Sequence, residues 1–135
     1  MCIRDSIQIE SWDVPFKESL ENCRLYVCDH LATTFAEALA ANKPTILFCS
    51  PRTNPLRPAA QPYFDLLREG GILFDEPEAA AKAATVIYED VEVWWNLPQR
   101  QEVVRIFCDR FARTSSDDID LWSNELRRVS NLPNY

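Results

Sequence analysis

At 135 residues the chain is long enough for one domain that closes a core without disulfide or metal staples. Its hydrophobic fraction of 47% suits a globular protein, while a net charge of −7 and a pI of about 4.7 argue against nucleic acid or an anionic membrane as a non-specific partner. A local basic pocket for a phosphorylated small molecule stays compatible with that charge.

Met-Cys-Ile-Arg-Asp-Ser at residues 1–6 resembles translated sequencing adapter and is set aside as a non-native leader. Ile7 to Glu10 alternates apolar and polar and reads as a short strand. Pro15 is placed to start a helix over Phe16 to Asn22, with Phe16 and Leu20 on one face. Leu25 to Cys28 is a strand-like apolar run, and Thr45 to Phe48 is another. Between them Phe35, Ala36, Leu39 and Ala40 recur at helical spacing, and Asn42 with Pro44 ends that helix. Strand, helix and strand in this order form a right-handed βαβ unit in a parallel sheet.

Ser50 to Pro62 is a loop by composition, held in shape by Pro51, Pro55, Pro58 and Pro62. Tyr63 to Arg68 reads as helix, capped by Gly70-Gly71, the only two glycines of the chain, and Ile72 to Phe74 as a third buried strand. Asp75-Glu76-Pro77-Glu78 opens an alanine-rich helix that runs to Glu89. Val91 to Trp95 leads to a break at Asn96-Leu97-Pro98. Pro98 starts a helix with Val103, Val104, Ile106, Phe107 and Phe111 as its apolar stripe. After an interruption at 113–116, Ser116 or Asp117 caps a last helix carrying Ile119, Leu121, Trp122, Leu126 and Val129. Trp94, Trp95 and Trp122 read as interhelical packing. No run approaches membrane-spanning length and no secretory signal is visible.

The candidate site lies where the first parallel strand ends and its helix begins, at Asp29, His30, Thr33 and Thr34. Parallel sheets bind ligands at the carboxyl ends of their strands, and free amides at a helix start attract anions. On spacing alone, plain capping by Thr33 and Thr34 ranks ahead of phosphate binding. His30, the only histidine, divides evenly between a structural hydrogen-bonding role and catalysis. Arg52 and Arg57 sit in the proline-rich loop, which leaves from the same sheet edge and could clamp a phosphate or carboxylate; solvated surface arginine is the ordinary alternative. The five cysteines, Cys2, Cys23, Cys28, Cys49 and Cys108, are odd in number and show no paired metal-ligand spacing. They read as reduced thiols of a cytosolic protein, with Cys28 and Cys49 near the ends of neighbouring strands.

Residues 28–48, from Cys-Asp-His-Leu-Ala-Thr-Thr to Lys-Pro-Thr-Ile-Leu-Phe, resemble the C-terminal region of a transferase family of bacterial surface carbohydrate biosynthesis. The likeness continues through Leu56-Arg57-Pro58, Pro62-Tyr63-Phe64, Gly71 to Asp75, Trp94-Trp95-Asn96, Phe107-Cys108 and Phe111 to Thr114, and covers roughly residues 7 to 128. More distantly, Asp29 to Phe48 resembles a turn of CDP-glycerol glycerophosphotransferases, although Cys-Asp-His and Thr-Thr stand where that family has Ser-Asp-Tyr and Ser-Ser. Both likenesses imply an α/β, Rossmann-like three-layer half of a GT-B fold, with a short parallel sheet and a helical C-terminal extension. They divide the chain into a nucleotide-donor-binding domain at 7–96 and C-terminal helices at 97–135, which pack on it or on a missing N-terminal domain.

The resemblance implies residue roles as well. Thr33 and Thr34 would present hydroxyls and amides to the donor diphosphate, and Glu37 would accept hydrogen bonds from the ribose. His30 would bond a phosphate oxygen or assist leaving-group departure, Asp29 would hold the turn, and Arg57 and Arg52 would neutralise phosphate charge. No metal and no cofactor are expected, since the nucleotide-activated sugar or polyol donor is a substrate. Expected partners are that donor and the N-terminal domain, with peripheral membrane association of the full-length protein and no nucleic acid. Alone, the chain would be a catalytically incomplete half of a cytoplasmic enzyme. A non-catalytic Rossmann-like interaction module is the alternative, and a sugar-nucleotide epimerase of the same architecture a third reading.

Overall fold

A computed structural model describes residues 7–113 and 115–131. The leader assigned to residues 1–6, with Cys2, lies outside the described residues, as do Thr114 and residues 132–135. The chain runs α1 (Phe16–Asn22), β1 (Tyr26–Cys28), α2 (Thr33–Ala40), β2 (Thr45–Phe48), α3 (Gln61–Glu69), β3 (Leu73–Phe74), α4 (Pro77–Ile87), α5 (Val91–Trp95), α6 (Pro98–Phe111) and α7 (Asp118–Ser130). The three strands form one open parallel sheet in the order β1-β2-β3. Val27 pairs with Ile46, and Leu47 with Leu73. The expected α/β class and short parallel sheet are present.

Strand alternation explains the layering, because successive side chains leave opposite faces. Cys28, Leu47, Cys49 and Leu73 point to one face and meet Phe35 and Leu39 of α2, Phe64 and Leu67 of α3, and Val104 and Phe107 of α6. Ile46, with Phe48 and Phe74 beside it, points to the other and meets Ala80, Ala83 and Ala84 of α4. The small alanine side chains let α4 lie close to the sheet. On the first face the aromatic rings lock three helices together: Phe64 and Phe107 stand edge to face at 5.2 Å, and Phe35 lies 5.9 Å from Phe107.

Helices α2 and α3 end in the same way. Each closes with a left-handed residue, Asn42 at φ 51° and Gly71 at φ 68°. Reversed hydrogen bonds follow, from Lys43 N–H to the Ala38 carbonyl and from Ile72 N–H to the Leu67 carbonyl, both 2.9 Å. Helix α5 then carries the chain beneath the amino ends of β2 and β3. Its Val91 belongs to one buried cluster and its Trp95 to the other. Arg100, at the start of α6, donates to the Gly70 and Trp94 carbonyls and stacks on the Trp94 ring 4.3 Å away. This crossing uses the amino edge of the sheet, while the turn after β1 and the loop after β2 leave from the carboxyl edge.

Four expectations need correction. Ile7 to Glu10 is not a strand: Ile9 is 91% exposed, and β1 pairs only with β2 among the described residues. Alternation alone cannot supply a sheet edge. Helix α3 begins at Gln61, so Pro62 sits in its first turn, where a missing N–H costs nothing. Trp122 joins no buried cluster among the described residues and is 66% exposed, in line with the rest of the exposed α7 stripe; Trp94 and Trp95 do pack, 5.4 Å apart. Asp117 stands at the α7 N-cap position but makes no side-chain cap bond. The cap that does form is one the pattern did not show, Asp90 accepting from the Val93 amide of α5 at 3.2 Å.

Candidate functional site

At the carboxyl edge, Cys28 ends β1 facing inward, and the chain turns out through Asp29 and His30 before α2 begins. The buried Cys28 thiol donates to the His30 carbonyl at 3.1 Å, which ties the turn back on itself. His30 Nδ1 donates to the Asp29 carboxylate at 2.7 Å. That bond holds the Asp29 carboxyl below the usual aspartate range, since the charged form is the one bonded. It also sets the tautomer: with Nδ1 carrying the proton, Nε2 on the far side of the ring is left as the acceptor. Both side chains are solvent-accessible, 59% for His30 and 71% for Asp29.

The start of α2 differs from the sequence reading. Ala32, not Thr33, occupies the N-cap, and no side chain caps the helix. Capping by Thr33 or Thr34 is therefore overturned, because both lie inside the first turn where their own amides are among the unpaired donors. Thr33 is exposed, as is Glu37 one turn on, so the two share a solvent-facing side of α2. Thr34 is half-buried and accepts from the Tyr26 hydroxyl at 3.1 Å. Its own hydroxyl proton remains available to a ligand. Burial pushes the Tyr26 phenol up to about 12, so it stays a neutral donor throughout the working pH range.

The loop from Ser50 to Ala60 leaves the end of β2 at the same edge and carries Arg52 and Arg57 in exposed positions. Ser50 organises its first turn, accepting from the Arg52 amide on its hydroxyl and from Thr53 and Asn54 amides on its carbonyl. Neither guanidinium has a hydrogen-bond or ion-pair partner among the described residues. At the end of β3, by contrast, Asp75 is already engaged: Arg68 donates to it at 2.8 Å and to Asp65 at 2.9 Å.

The structure thus gathers Asp29, His30, Thr33, Thr34 and Glu37 on one turn and its helix, and sets Arg52 and Arg57 on the adjoining loop. Two further residues belong to the turn, Tyr26 and Cys28. Alternation carried a signal for them, since residues 26, 28 and 30 leave an extended chain on one side. Another hollow lies elsewhere, a shallow groove of about 800 Å³ between residues 8–14, α1 and β1. It is largely apolar, and the titratable side chains that line it are each engaged, Glu10 by Ser19, Cys23 by the Leu20 carbonyl and Tyr26 by Thr34, so chemistry points to the carboxyl edge instead.

Among the described residues no helix is long and apolar enough to cross a membrane. No curated protein and no solved structure matches the chain. A family model does, described as LIC12162 family transferase and matching residues 2–126, and by that match the chain belongs to this transferase family.

Proposed function

We propose that the chain is the donor-binding, Rossmann-like half of a GT-B transferase of surface polysaccharide biosynthesis, which moves a sugar or polyol-phosphate group from a nucleotide-activated donor. The observation that carries this reading is the Asp29–His30 pair standing beside an α2 N-terminus whose amides no side chain caps. Anion-seeking amides and an oriented imidazole at the open edge of a parallel sheet suit a diphosphate that must be both held and released.

In this reading the first-turn amides of α2, with the Thr33 and Thr34 hydroxyls, receive the diphosphate. Glu37 accepts from ribose hydroxyls. Arg52 and Arg57 offset the charge that builds on the departing nucleotide. His30, held through Nδ1 by Asp29, presents Nε2 to a phosphate oxygen or, protonated, assists the leaving group. The acceptor and the general base belong to a second, N-terminal domain, and the setting is cytoplasmic with the full-length protein peripheral to the membrane.

The test is a thermal-shift and calorimetric titration with CMP, CDP, UDP and GDP, run on this chain and on the full-length protein. Thr33→Ala/Thr34→Ala and Glu37→Ala are titrated beside them. One nucleotide should bind saturably and weaken about tenfold in each variant, as lost hydrogen bonds to a charged ligand require, with the melting temperature unchanged in Glu37→Ala and lowered only by the lost Tyr26–Thr34 bond in the double variant. Full-length protein that binds no nucleotide, or variants that bind as tightly as the parent, would sink the proposal. The first of those outcomes favours the interaction module, for which the exposed apolar stripe of α7 is the supporting observation.

A further inference from the structure

We propose that the β1–α2 turn is a zinc site in which Cys28 Sγ, Asp29 carboxylate and His30 Nδ1 are the protein ligands. The inference goes beyond the donor reading and stands without it. Among the described residues these three form the one group whose ligand atoms all lie within 4.8 Å of one another.

The ligand chemistry is selective. One thiolate, one imidazole and one carboxylate suit a borderline cation such as zinc, whereas magnesium and calcium take oxygen ligands. Thiolate and carboxylate together carry two negative charges, which a divalent ion balances. The geometry is close to what such an ion needs. Bonds of about 2.3 Å to sulfur and about 2.0 Å to nitrogen and oxygen put tetrahedral ligand atoms roughly 3.3–3.6 Å apart. Here sulfur and Nδ1 are 3.8 Å apart, and Nδ1 and Oδ1 2.7 Å. Small rotations of the exposed Asp29 and His30 side chains close one gap and open the other, while the sulfur keeps its place at the buried end of β1 and gives up its proton, and with it the bond to the His30 carbonyl, when the metal binds.

The surroundings match a ligand set rather than a bare thiol. Three protein ligands at a solvent-open turn leave a fourth position for water or an anion. With the ion on Nδ1, the ring proton of His30 moves to Nε2, which turns the outward nitrogen from acceptor into donor.

Chelator-stripped protein titrated with zinc, and with cobalt(II) as a spectroscopic probe, tests the site with no nucleotide present. Its failure is therefore distinguishable from failure of the donor reading. One equivalent should bind, with a thiolate-to-cobalt charge-transfer band and no displacement by excess magnesium. Asp29→Asn and His30→Gln, both at exposed positions, should retain the metal-free melting temperature and weaken zinc at least tenfold. Cys28→Ala should abolish the band, and Cys23→Ser should leave it intact. Absence of stoichiometric binding, unchanged affinity in Asp29→Asn and His30→Gln, or a band that survives Cys28→Ala overturns the assignment.

Discussion

Trp95 Nε1 donates to both the main-chain carbonyl and the side-chain oxygen of Asn42, at 2.9 and 3.0 Å, across 53 positions of sequence. Asn42 holds the left-handed backbone that turns α2 into β2, and Trp95 is one of the largest fully buried side chains. One indole thus joins the crossing helix α5 to the turn that launches the central strand.

That link predicts an asymmetric pair of variants. Trp95→Phe strands the Asn42 carbonyl in a partly buried place and should cost about 1–2 kcal/mol by urea denaturation. Asn42→Gly keeps the carbonyl and relieves the left-handed strain, so it should lie within about 0.5 kcal/mol of the parent. Equal losses would show that the side-chain oxygen, not the carbonyl, is the partner that matters.

Arg68 joins α3 to the end of β3 through Asp65 and Asp75, and its own side chain is only 22% exposed. The two carboxylates are about half exposed and well screened, which limits the worth of the pair. Arg68→Met should lower stability by about 1–2 kcal/mol, with the loss shrinking in high salt. A salt-independent loss would assign the effect to packing of the stem.

Asp29 provides a pH prediction. Its folded carboxyl titrates below the ordinary value because His30 bonds the charged form. The linked stability is fully present above the ordinary aspartate value of about 3.9 and is lost as pH falls through the lowered folded value. Carbon-detected NMR titration should find the Asp29 midpoint below that ordinary value, and His30→Gln should return it upward. A midpoint that ignores the substitution would place the cause elsewhere.

The terminal helix supplies a contrast in cost. Phe107 lies within the ring cluster of α2, α3 and α6, and Phe107→Ala should destabilise by about 3–5 kcal/mol. Trp122 and Leu126 belong to α7, which contributes no buried residue. Trp122→Ser/Leu126→Ser should change stability by no more than about 0.5 kcal/mol while reducing hydrophobic-dye binding and self-association. A large drop in melting temperature would mean that α7 docks in solution.

What the sequence determined by itself was set by short-range physics. Helix α1 and strand β2 match their expected bounds residue for residue, because proline starts, period-2 runs and helical stripes act within a few positions. The glycine end of α3 and the asparagine end of α2 were legible for the same reason, as few residues accept a positive φ. Of the site, the position of Asp29, His30, Thr33 and Thr34 at a strand-to-helix turn could be read directly. Tertiary structure decided whatever needs a distant partner. An alternating Ile7–Glu10 became a strand only in pattern, since pairing needs an accessible sheet edge. An apolar stripe on α7 and another on α6 look alike in sequence, yet α6 alone found a face to cover it. Within the site, the uncapped start of α2 and the nitrogen that His30 gives to Asp29 followed from the backbone path of the turn, which residue spacing does not encode.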